Sequence, residues 1–71
     1  MEHIRTVADL GAVIRHERRR QGFSQTQLAD GSGVGITYVF NLENGKETSE
    51  MGKAIRVAES LGIDLFAEAR A

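Results

Sequence analysis

The sequence predicts a small all-α bundle of four to five helices with a short C-terminal β-strand, on three observations. Apolar residues recur at spacings of three and four, residues able to cap a helix precede those stripes, and a glycine follows each. Proline is absent, and no low-complexity tract, internal repeat or linker interrupts the pattern. The chain has 71 residues, which allows a single domain over residues 1–71 whose core contributes only a few kcal/mol.

Thr6 followed by Asp9 forms an acidic capping box before Leu10, Val13 and Ile14, so a first helix is expected from about Val7 to Gln21, stopped by Gly22. Ser24 and Gln27 form a second box before Leu28 and Ala29; this helix ends in Gly31-Ser32-Gly33. A third is expected from about Ile36 to Glu43, closed by Asn44-Gly45, where both residue types tolerate the left-handed conformation. Thr48 or Ser49 is expected to cap a fourth, with Met51, Ala54, Ile55, Ala58 and Leu61 inward and Gly62 as its stop. The helical core thus spans about 7–62. From Ile63 to Glu68 apolar and polar residues alternate, apart from Leu65-Phe66, which reads as a strand in need of a partner.

Composition narrows the function. Without cysteine there is no disulfide or thiol chemistry, and His3 and His16 alone do not make a zinc site. No cofactor and no metal are expected, and no nucleophile, base and orienting group form a recognisable motif, so an enzyme is not expected. No signal peptide or membrane-length apolar run is visible, and the expected location is cytoplasmic, at the nucleoid. Net charge is −1 but uneven: the residues before Phe23 carry +2 and those from Glu47 onward −2. One basic end suits a protein that meets an anion on one side.

At 100° per residue, Tyr38, Val39 and Leu42 share one side of the third helix, and Thr37, Phe40 and Asn41 the other, with Ile36 at the edge. The outer side fits the major groove of DNA, where Thr37 and Asn41 offer hydrogen bonds to base edges and Ile36 and Phe40 contact with thymine methyl groups. Gln25 is placed to meet a phosphate with its amide and its backbone N–H. Lys46 and the N–H groups of Asn44 to Lys46 read as a phosphate clamp, or equally as an ordinary helix end. The arginines 15, 19 and 20 read as phosphate contacts or as a solvated face.

These residues resemble the Cro/C1-type (XRE) helix-turn-helix family, whose fold is lambda-repressor-like. The resemblance runs from about Leu10 to Gly62 and is carried by Arg18, Gly22-Phe23-Ser24-Gln25, Leu28-Ala29, Gly33-Val34, Val39 and Leu42-Glu43-Asn44-Gly45-Lys46. It implies DNA binding through Ser24, Gln25, Gly35, Ile36, Thr37, Phe40, Asn41, Asn44 and Lys46, and an Arg18–Glu43 ion pair bracing the first helix against the third. Gly35 departs from the family's Ser or Thr cap, and Phe40 from a small polar residue.

Within the family the chain resembles HipB-type antitoxins, with Ile4-Arg5-Thr6 as the lead-in and Ile63 to Glu68 as the closing strand. That implies a homodimer joined through Ile63, Leu65 and Phe66, double-stranded DNA with a palindromic operator as one partner, and a HipA-like serine/threonine kinase toxin as another. The alternatives are a stand-alone Cro/C1-type regulator, distinguished by the absence of a neighbouring toxin gene, and a protein-interaction module on the same fold, distinguished by weak DNA binding.

Overall fold

The computed structural model describes residues 2–70 and contains four helices: α1 Val7–Arg20, α2 Gln25–Ser32, α3 Ile36–Glu43 and α4 Met51–Ser60. Both capping boxes form. Thr6 Oγ1 accepts from Asp9 N while the Asp9 carboxylate accepts from Thr6 N, and Ser24 and Gln27 do the same at the head of α2. Those hydrogen bonds, the one from the Arg5 backbone first, hold the Asp9 carboxyl below its ordinary range.

Three helices end alike. After α1, α3 and α4 a glycine at positive φ (Gly22, Gly45, Gly62) donates to the second-last carbonyl, and the next residue donates to the carbonyl one residue further back. Phe23 thus reaches Arg18 O, Lys46 reaches Asn41 O and Ile63 reaches Ala58 O, which is the Schellman arrangement.

The core is Leu10 and Ile14 from α1, Leu28 and Ala29 from α2, Val39 and Leu42 from α3, and Ala54 and Val57 from α4, with Leu61 just past its end. α3 lies between α1 and α2, and α4 packs on α2. The approach of α1 to α3 is close: a Cβ on Gly11 would lie 2.1 Å from Leu42 O. Gly45, at φ +78°, meets Ala8 in the same way.

Three expectations are corrected. Among the described residues no strand forms, and the chain from 63 to 70 carries no regular secondary structure. A strand exists only through its ladder, and every other long segment already spends its backbone hydrogen bonds inside helices. The class is all-α, with four helices and a tail. The cap of α4 is Glu50, not Thr48 or Ser49, because Ser49 Oγ turns back to donate to Lys46 O at 2.7 Å. The buried stripe of α4 includes Val57, whereas Met51 and Ile55 stay 62% and 37% exposed. The apolar arc of α4 is wider than the single helix covering it. No helix among the described residues is long and apolar enough to cross a membrane.

Candidate nucleic-acid interface

The second and third helices, with the turn between them, form the site. α2 ends at Gly33, whose φ of 70° is the left-handed geometry that redirects the chain. Val34 N–H still bonds back to Ala29 O and the Val34 side chain packs on the core, so the turn is anchored. Gly35 caps α3 in extended backbone without a side-chain bond. Open space surrounds the position of its missing Cβ.

α3 is two-faced. Val39 and Leu42 have no solvent exposure, and Tyr38 is half-buried, its hydroxyl donating to Glu50 O. Burial, then the nearby Glu50 charge, pushes the Tyr38 phenol up from its ordinary value, so it stays a neutral donor. Lys53 Nζ lies 5.6 Å from the ring centroid. On the other side Ile36, Thr37, Phe40 and Asn44 are exposed and Asn41 is half-exposed. Ile36 at 48% and Phe40 at 54% are large apolar groups that the fold leaves in water.

What holds that face in place is a knot around Glu43, the last residue of α3, itself buried. Arg18 donates through Nε to Glu43 Oε2 at 2.7 Å and through Nη2 to Oε1 at 3.0 Å. The third arm of the guanidinium donates to Phe23 O at 2.9 Å, tying in the α1–α2 turn. Gln25 Nε2 reaches Glu43 Oε1 at 3.2 Å, and Arg15 reaches the same oxygen at 3.4 Å and Asn44 Oδ1 at 3.2 Å. Burial alone would raise the Glu43 carboxyl, but the hydrogen bonds from Arg18 and Gln25 with the Arg18 charge outweigh it and hold it below the ordinary range. Arg18 is held above its ordinary value, first by its hydrogen bond to Glu43.

Two phosphate roles expected from the sequence are redistributed. The Gln25 amide is committed to Glu43, so this residue faces an approaching anion with its backbone N–H, at the helix N-terminus where no preceding turn accepts it. Ser24 is exposed, with its oxygen engaged in the cap. The N–H groups of Asn44, Gly45 and Lys46 all donate to α3 carbonyls and so do not form a clamp. The Asn44 side chain donates to Phe40 O and accepts from Arg15. Lys46 is exposed, and among the described residues no carboxylate pairs with it. Of the remaining α1 arginines, Arg20 pairs with Glu17, a partly exposed carboxyl whose pKa this bond lowers to about 2, while Arg19 points to solvent.

A second surface lies on the α4 side. A shallow groove of about 390 Å³ runs between Ile4, Val13, Met51, Ile63, Leu65 and Phe66. Phe66 is 77% exposed and Leu65 40%, while Ile63 packs against the core. The three residues expected at a subunit interface therefore sit beside Met51, expected to face inward from the fourth helix, and Ile4, expected only as part of the lead-in.

Two helices across a tight glycine turn, the second with a solvent-facing side, define a helix-turn-helix module. The family model for this motif, described as "Helix-turn-helix", matches residues 14–66, and the chain belongs to that family, in its Cro/C1-type (XRE) branch. It is 41% identical over 68 residues to an uncharacterized HTH-type transcriptional regulator, y4mF, of Sinorhizobium fredii, covering 93% of this chain and 90% of that one. Among solved structures the fold is similar to a chain of a HipA-HipB-O2-O3 complex, with a TM-score of 0.88, 18% identity and complete coverage of both chains. A HipB-O4 20mer complex gives a TM-score of 0.85 at 20% identity, covering 99% of this chain and 100% of the other. The chain therefore has the fold of an XRE-type transcriptional regulator.

Proposed function

We propose that this protein is a sequence-specific DNA-binding transcriptional repressor, acting as a homodimer on a palindromic operator in its own promoter. One observation carries the reading: the outer face of α3, from Ile36 to Asn44, is left in solvent while the inner face and the Glu43 knot fix its direction. The open N–H groups at the start of α2 and the ammonium of Lys46 flank that face where the phosphate backbone passes a helix in the major groove.

The second copy is assigned to the groove around Met51, Ile63, Leu65 and Phe66, on the α4 side of the fold. A small domain that leaves Met51 and Phe66 mostly exposed gains by covering them, and two-fold symmetry supplies a second α3 for the second half-site. In its cell the repressor would be the HipB-like antitoxin of a type II toxin-antitoxin operon, holding a HipA-like kinase toxin. Support comes from the similarity of fold over the full chain to HipB in complexes with operators and with HipA.

The test is footprinting with the full-length protein on duplex DNA covering the region upstream of its own start codon. Protection of two half-sites about 10 base pairs apart is expected. No protected region would overturn the repressor reading. Co-purification with the product of the adjacent reading frame separates an antitoxin from a stand-alone regulator.

A further inference from the structure

The exposed face of α3 has a composition that favours one kind of base pair. It presents Ile36, Thr37, Phe40, Asn41 and Asn44, and no lysine or arginine occurs anywhere between Gly35 and Gly45. Guanine is most often read in the major groove by a bidentate arginine or lysine on its O6 and N7, and α3 has neither. What it offers are two apolar side chains, which match the C5-methyl of thymine, and an asparagine amide, which matches adenine N6 and N7. Asn44 is less available, because both ends of its amide are engaged within the chain.

The spacing agrees with the composition. Ile36 and Phe40 are four residues apart and so lie on one face, about 6 Å apart along the helix axis. Stacked base pairs rise about 3.4 Å, so the two side chains span roughly two base steps. Both are about half exposed, so neither is needed to fill the core and both keep surface for a ligand.

We infer that α3 reads A·T pairs, with Ile36 and Phe40 acting as thymine-methyl contacts about two base steps apart and Asn41 reading an adenine beside them. This rests on the DNA-binding reading above. Phe40 and Ile36 thereby set specificity, and the basic residues outside α3 supply affinity without sequence preference.

The experiment uses the full-length protein and a random-sequence duplex pool, from which bound duplexes are selected. The best-bound duplex is then resynthesised with deoxyuridine in place of thymine in each half-site, which removes the methyl groups and leaves base pairing intact. Selected half-sites should be A·T-rich at the α3 contacts. Each lost methyl in contact should weaken binding by roughly four-fold, the equivalent of one buried CH₂. Phe40→Ala, at an exposed position, should keep the fold by circular dichroism and bind thymine and uridine duplexes equally at the position Phe40 contacts. Half-sites dominated by G·C, or wild-type protein indifferent to deoxyuridine, would overturn the inference while leaving DNA binding intact. A pool that yields no enriched sequence would overturn both.

Discussion

The α1–α3 junction and the α4–tail region differ in how completely they satisfy themselves. At the junction every donor and acceptor around Glu43 is matched, and the backbones approach until a glycine is required at position 11. On the other side α4 buries one stripe on α2, where Ser60 and Ser32 hydrogen-bond, and leaves Met51, Ile55, Leu65 and Phe66 in water beside the solvent-exposed Lys53–Glu50 pair. A closed region can hold a recognition surface at a fixed angle without help. A region with unspent apolar surface is suited to meeting another molecule. The expected consequences of breaking each side differ accordingly.

The largest effect belongs to the closed side. Glu43→Ala leaves the Arg18 guanidinium buried without its partner and should cost about 3–5 kcal/mol, enough to unfold much of a domain this small. Replacing both members by apolar residues of similar size, Arg18→Met with Glu43→Leu, should recover most of the loss, because neither charge is then stranded. A urea-denaturation double-mutant cycle checks this through the coupling energy.

Gly11→Ala is next. The new methyl meets the Leu42 carbonyl, a backbone atom that moves only if α1 and α3 separate, so a loss near the upper end of the usual overpacking range, about 3 kcal/mol, is expected. The melting temperature measures it, with a drop of more than about 10 °C anticipated.

Acid should act at the same junction. The Glu43 carboxyl is lowered from 4.5 in the folded state, so its contribution is fully present above that value and is lost as pH falls through the folded one. Below about pH 4.5, stability should therefore decline in the native sequence and decline less steeply in Glu43→Gln, as followed by denaturation at stepped pH. Glu17, though lowered to about 2, is paired at the surface and adds little to that slope.

On the open side the effects on the folded chain should be smallest. Met51→Lys with Phe66→Lys touches two exposed residues, and each should change the stability of the isolated subunit by no more than about 0.5 kcal/mol. If the proposed interface holds, sedimentation at micromolar concentration should nevertheless show a dimer for the native sequence and a monomer for the variant.

This contrast also explains what the sequence could and could not reveal. Local signals were legible: both capping boxes, the glycine stops and the two-sided character of α3 follow from residues within one or two turns of each other. The knot was only half legible. The family resemblance implied the Arg18–Glu43 pair, but Arg15 read only as a phosphate contact or a solvated residue, and nothing near Gln25 signals that its amide turns to a carboxylate 18 residues on. Gly11 was not singled out in the sequence, although a glycine inside a helical pattern costs about 1 kcal/mol relative to alanine; the fold shows the close approach that it permits. The tail misled because alternation identifies a strand only when something pairs with it. The Asn44-Gly45-Lys46 segment misled because a helix-ending turn spends the same N–H groups that an anion site needs.

The central claim is that the outer face of α3 distinguishes bases while the groups around it hold phosphates. Its most direct test is the affinity of Asn41→Ala for a set of operator duplexes altered one base pair at a time. The account predicts a loss of about 1–3 kcal/mol on the native operator and indifference to substitution at one base pair, with discrimination elsewhere unchanged. An equal loss on every duplex, unrelated sequences included, would contradict it, since Asn41 would then be supporting the helix or meeting a phosphate rather than reading a base.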